Sequence, residues 1–223
     1  MLKTPIVILN VKCYEEATGK NLDGIVEAMN TASEKYGVSA AIAVQPTDIY
    51  RVSIASKIPV LAQHVDPIKY GSHTGYILPE AVKFAGAKGT LINHAEHRLR
   101  IWEIDELVKK TKELELSQVV CSNNSDVSRA VAVFLPEFVA VEPPELIGGN
   151  VSVSKAKPEI IEKSVEKVKE ITGDVKVLCG AGIKNREDVA KAIELGSDGI
   201  LLASGIVKAK DAYAACEEIF RGI

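Results

Sequence analysis

The chain has 223 residues, a net charge of -3, 47% apolar and 26% charged residues. That balance is the ordinary mix of a globular protein, and with no basic cluster it argues against a nucleic-acid or membrane-surface partner. No apolar run approaches the roughly 18 residues that a membrane helix needs. Cys13, Cys121, Cys179 and Cys216 are scattered without a CxxC pair, and no leader-like segment precedes Ile6. Both point to a soluble protein of a reducing cytoplasm.

Taken in chain order, eight short apolar, β-branched runs recur at 6–12, 39–45, 60–66, 89–95, 118–123, 138–144, 175–182 and 198–205. They lack polar alternation, as strands covered on both faces do in a parallel sheet. Helix-period segments lie between them, among them LDGIVEAMNTASEKYG, WEIDELVKKTKELE, PEIIEKSVEKVKEIT and NREDVAKAIELG. Pro158 suits a first helical turn, and Gly196 suits the left-handed residue that closes a helix. Eight strand-then-helix units without a linker predict an α/β fold, a (β/α)8 barrel forming a single catalytic domain over 1–223, with a doubly wound open sheet as the alternative.

In such a barrel the loops after the strands' C-terminal ends build the active site. The first run ends in Asn10-Val11-Lys12, where a period of two puts Asn10 and Lys12 on one side of the strand. Lys12 is either a solvated strand-end cation or the receiver of a bound anion. The fourth run ends in Asn93-His94-Ala95-Glu96-His97, which places His94 at an expected helix start, where the local dipole opposes its protonation. No HExxH pattern or third soft ligand accompanies His94 and His97, which argues against a metal pair. The sixth run ends in Glu142, followed by Pro143 and Pro144, which hold the backbone extended and would keep a base aimed. The last two runs end in CGAGI and LASG. Small residues there let backbone N–H groups approach an anion, and with Gly148 they suggest a phosphate site.

The motifs NVK, GSHTG, INHAEHR, AVEPPELIGGN, VSKAKPE, CGAGI and LLASG, in that order over nearly the whole chain, resemble the triosephosphate isomerase family in its short archaeal form. The resemblance implies interconversion of dihydroxyacetone phosphate and glyceraldehyde 3-phosphate, without a cofactor or metal. It implies that Asn10 and Lys12 hold substrate, His94 is the electrophile, Glu142 is the base and Glu96 supports Lys12. Ile147, Gly148, Gly182, Ala203 and Ser204 would contact the substrate, with 145–150 as a closing lid. A glutamate base, a neutral histidine and a lid are the established picture for this family. GSHTG (71–75) resembles the family's intersubunit finger and implies a homodimer or homotetramer. Two positions depart from the family pattern: Ala95 stands where a serine is usual, and the lid ends in Gly148-Gly149-Asn150. Two rivals remain: a barrel enzyme using Lys12 as a Schiff base, and a phosphosugar-binding barrel without turnover.

Overall fold

A computed structural model of the chain describes residues 2–144 and 158–223. Eight parallel strands close on themselves in the order β1 to β8: β1 Ile6–Asn10, β2 Ser39–Val44, β3 Val60–Ala62, β4 Gly89–Ile92, β5 Ser117–Ser122, β6 Phe138–Val141, β7 Lys176–Cys179 and β8 Gly199–Leu202. β1 pairs with both β2 and β8, so the expected barrel forms and the open sheet does not. Closure needs a close approach. Gly199 has φ +152°, and a Cβ there would lie 2.2 Å from the carbonyl oxygen of Ile6.

Among the described residues the helices are α1 Leu22–Tyr36, α2 Ile49–Ala55, α3 Pro79–Phe84, α4 Ile101–Glu113, α5 Ser125–Ala132, α6 Pro158–Lys169, α7 Arg186–Glu194, α8 Ser204–Val207 and α9 Ala212–Phe220. None is long and apolar enough to cross a membrane. Local chemistry sets their ends. Pro158 opens α6, Asn185 accepts the N–H of Asp188 at the start of α7, and Gly196 follows that helix at φ +89°. Gly37, at φ +65°, closes α1. These are the proline, side-chain cap and left-handed glycine that helix ends favour.

Strand alternation sorts the core into two shells. Ile6 and Ile8 of β1, Val119 and Cys121 of β5, Phe138 and Ala140 of β6, Leu178 of β7 and Leu201 of β8 fill the barrel interior. The intervening residues, such as Val7, Leu9, Val139 and Val141, pack outward with the helices. Phe138 and Phe220 are the bulkiest fully buried side chains among the described residues, and truncating Phe138 to alanine would cost about 3–5 kcal/mol.

The strands are shorter than the apolar runs predict, because each run's polar tail belongs to the following loop. β1 stops at Asn10 and β6 at Val141. The same period of two that puts Ile6 and Ile8 inside carries Asn10 inward at the mouth. Phe138 and Ala140 do the same for Glu142, and Leu178 for Gly180.

Candidate active site

Asn10, Lys12, His94, Glu96, Glu142, Gly182, Ala203 and Ser204 all line one cavity of about 480 Å³ at the C-terminal mouth of the barrel. Ile147, Gly148 and the 145–150 segment lie outside the described residues.

Lys12 reaches this cavity by a route that strand alternation does not describe. It lies beyond the end of β1 at φ +51°, a left-handed conformation uncommon for a residue with a side chain. Its backbone N–H donates to Oδ1 of the buried Asn10 at 3.0 Å. Its Nζ donates to Oε1 of Glu96 at 2.7 Å. Asn10 and Lys12 therefore meet through a tight turn rather than along a shared strand face.

His94 departs from expectation as well. α4 begins only at Ile101, so no helix starts at His94 and the dipole argument fails. The loop is held back by Asn93, which sits at φ +61° and is buried. Its side-chain amide donates to the carbonyl of Cys121 at 2.9 Å, and its Oδ1 accepts the N–H of Leu99 at 2.9 Å. Arg98 donates to the Asn93 carbonyl at 3.0 Å. In place of a dipole, one hydrogen bond selects the tautomer. The backbone N–H of Glu96 donates to Nδ1 of His94 at 3.2 Å, so in the neutral ring the proton is on Nε2.

That Nε2 lies 3.0 Å from Oε1 of Glu142, and both side chains are more than nine-tenths buried. Oε2 of Glu142 accepts the N–H of Ala95 at 3.3 Å. The neighbouring strand β5 fixes the acid's backbone, whose N–H donates to the carbonyl of Ser122 at 2.7 Å. Cys121 stands close by inside the barrel, and burial first, then the charge of Glu142, pushes its thiol well above the ordinary cysteine range. The carboxylate thus lies buried at the cavity with His94 and the Ala95 N–H as its neighbours.

From the sequence, Asn93 and Cys121 have no assigned role, and Gly180 counts only as one of the small residues of CGAGI. A Cβ at Gly180 would fall 2.8 Å from Cγ of Glu142 and 2.9 Å from the Val141 carbonyl oxygen, so this position holds the acid's room. The interior parity of Leu178 was the signal for it. Lys184 also lines the cavity and adds a second cation. Among the described residues no group of three or more His, Cys, Asp or Glu is placed to hold a metal ion.

The protein-family model described as triosephosphate isomerase matches residues 5–219. A triosephosphate isomerase of Methanothermus fervidus is 52% identical over 215 residues, covering 96% of this chain and 97% of that protein. One from Methanobacterium bryantii is 54% identical over 209 residues, with coverage of 94% and 92%. One from Methanocaldococcus jannaschii is 48% identical over 218 residues, with coverage of 98% and 100%. With its closed eight-stranded barrel and a match over nearly its whole length, the chain belongs to the triosephosphate isomerase family.

Proposed function

We propose that Glu142 is the base, and His94 and Lys12 the polarising groups, by which this chain interconverts dihydroxyacetone phosphate and D-glyceraldehyde 3-phosphate. The observation that carries the assignment is the convergence of the Glu142 carboxylate, the His94 Nε2 and the Lys12 ammonium on one cavity. The reaction removes a proton from the carbon beside a carbonyl and returns it to the neighbouring carbon, so one carboxylate serves both steps. Negative charge moves meanwhile onto the carbonyl oxygen. The Glu96 backbone keeps a proton on Nε2, which faces Glu142 in the resting site and turns to the carbonyl oxygen once substrate lies between them, and the Lys12 ammonium adds its field. Asn10 supports Lys12 through the turn. Gly182, Ala203 and Ser204 line the same cavity, where their backbone N–H groups meet the substrate phosphate.

Glu142→Gln removes the base and retains the shape. It should lower kcat by about 10²- to 10⁴-fold, the usual worth of a positioned acid–base group. A coupled isomerisation assay on the purified variant tests this, and retention of more than a tenth of wild-type kcat would reject Glu142 as the base. Borohydride treatment with substrate should leave Lys12 unlabelled, since no imine is formed on this route.

A homo-oligomer is the second part of the proposal. Tyr70 and Tyr76 are 67% and 60% exposed on either side of the 71–75 loop, a large apolar surface to leave in water. Next to the active-site cavity lies a second one of about 500 Å³, walled by Cys13, Pro46, His64 and Ile77. A two-fold pairing would place each chain's loop in its partner's cavity. Light scattering on the wild type and on a chain with 71–75 trimmed to a tight turn tests it, the trimmed chain being expected smaller and poorly active.

A further inference from the structure

His64 and His97 lie across the second cavity from the catalytic groups, and neither belongs to the machinery described above. Their rings stack with centroids 3.8 Å apart and planes inclined by 20°. His64 follows β3 and is buried, while His97 lies over it on the solvent side. Each ring is tied to a different loop. Nε2 of His64 lies 3.2 Å from Oδ1 of Asp66. The other oxygen of Asp66 accepts the N–H of Ile77 at 2.6 Å, and the Asp66 N–H donates to the Ile77 carbonyl at 2.9 Å, which closes the base of the 66–77 loop. His97 belongs to the turn of the catalytic histidine, because its N–H donates to the His94 carbonyl at 2.9 Å. On the far side the same turn is anchored through Asn93 to β5.

We propose that the His64–His97 stack is a positioning device, which braces the turn carrying His94 and Glu96 against the base of the 66–77 loop and lets go when acid charges both rings. It rests on the reading of His94 as the electrophile. The physical reason is that a neutral imidazole stacks well on a neutral or a singly charged partner, whereas two imidazolium rings at this separation repel. Burial, then the charge of His97, holds His64 below the ordinary histidine range, against the opposing pull of Asp66 and of Glu103 in α4. The remaining charged or titratable groups around the cavity are Lys12, Cys13 and Tyr14 from the first loop, and His94 and Glu96 from the braced turn itself. The stack is thus intact near neutrality. It opens as the pH falls through the lower part of the histidine range. Once the turn is free, the Glu96 N–H no longer fixes the tautomer of His94 and the Glu96 carboxylate no longer holds Lys12.

The test compares kcat and KM of the wild type, His97→Phe and His97→Ala from about pH 5.5 to 8, a span that brackets the ordinary histidine range. Ratios between variants cancel the titration of groups common to all of them, the substrate phosphate included. Phenylalanine keeps the stacking face and cannot be charged, so His97→Phe should hold kcat within about threefold of wild type at pH 7.5 and lose less of it in acid. His97→Ala removes the brace and should lose about tenfold or more in kcat at pH 7.5, as small misplacements of catalytic groups do. Thermal melts and light scattering accompany each point. Wild-type kcat and acid limb in His97→Ala would overturn the inference, and so would equal impairment of the two variants or a loss of activity that tracks dissociation. A wild type without isomerase activity, or a fully active His94→Gln, would instead overturn the reading on which it rests.

Discussion

Ala95 donates its backbone N–H to Oε2 of Glu142 at 3.3 Å, so the carboxylate finds a donor at the very residue where the family usually carries a serine hydroxyl. Every residue but proline brings that backbone donor, so it does not stand in for the missing hydroxyl. Restoring it in Ala95→Ser adds at most one further hydrogen bond to the resting acid, worth about 0.5–1.5 kcal/mol net. The variant's kcat should stay within about tenfold of wild type, in either direction. A larger change in steady-state kinetics would show that the hydroxyl does something that the backbone donor does not.

Lys12 is 16% exposed at its side chain and is held between the turn at Asn10 and the carboxylate of Glu96. An ammonium so placed serves a bound anion at little reorganisation cost. Lys12→Met should weaken a phosphate-bearing inhibitor by about 10- to 150-fold, the range for a hydrogen bond to a charged group, and its uncharged analogue far less. Calorimetric titration of both ligands against both proteins decides it. Equal losses would mean that Lys12 does not serve the anion.

The barrel was legible because its signals are local and repeated. Each apolar run reports burial on both faces, and Pro158, Gly37 and Gly196 mark helix ends whatever the tertiary context. The candidate site was legible where a polar residue interrupts such a run, as at Asn10 and Glu142. It was illegible where function depends on a loop folding back. Lys12 at φ +51° and Asn93 at φ +61° owe their conformations to hydrogen bonds with partners that no period predicts. That is why the helix expected at His94 begins at Ile101. The His64–His97 stack spans 33 positions and two loops, so nothing in either segment announces it.

Gly180 offers a test of how tightly the acid is aimed. A methyl group there would sit 2.8 Å from Cγ of Glu142, closer than such contacts occur, and the neighbouring Val141 carbonyl cannot yield without moving β6. The side chain of Glu142 should give way first. Gly180→Ala should therefore cost about 1–3 kcal/mol of stability through overpacking, and about a hundredfold in kcat through displacement of the base. The measurement pairs a thermal melt with steady-state kinetics. Wild-type kcat would show that the glycine is there for the strand and not for the acid.

The cysteines report on the proposed assembly. Cys121, Cys179 and Cys216 are buried, whereas Cys13 is exposed on the lone chain and lines the second cavity. Burial pushes the thiols of Cys179 and Cys216 up to about 12, and that of Cys121 well above the ordinary range, so at pH 8 these three hold almost no thiolate in the folded protein. Since the thiolate is the reacting form, a disulfide reagent should leave them untouched until the chain unfolds. Cys13 differs. If the 71–75 loop of a second copy fills the cavity, Cys13 is covered in the assembled protein and uncovered when that loop is trimmed away. Labelling at pH 8 should then be slow for the wild type, fast for one thiol per chain in the trimmed variant, and complete for four only in denaturant. Raising the protein concentration should slow the wild type further, because association is favoured by mass action. Equal rates for Cys13 in the two proteins would place the partner's contact elsewhere on the surface, and more than one fast thiol in the folded chain would contradict the buried positions of the other three.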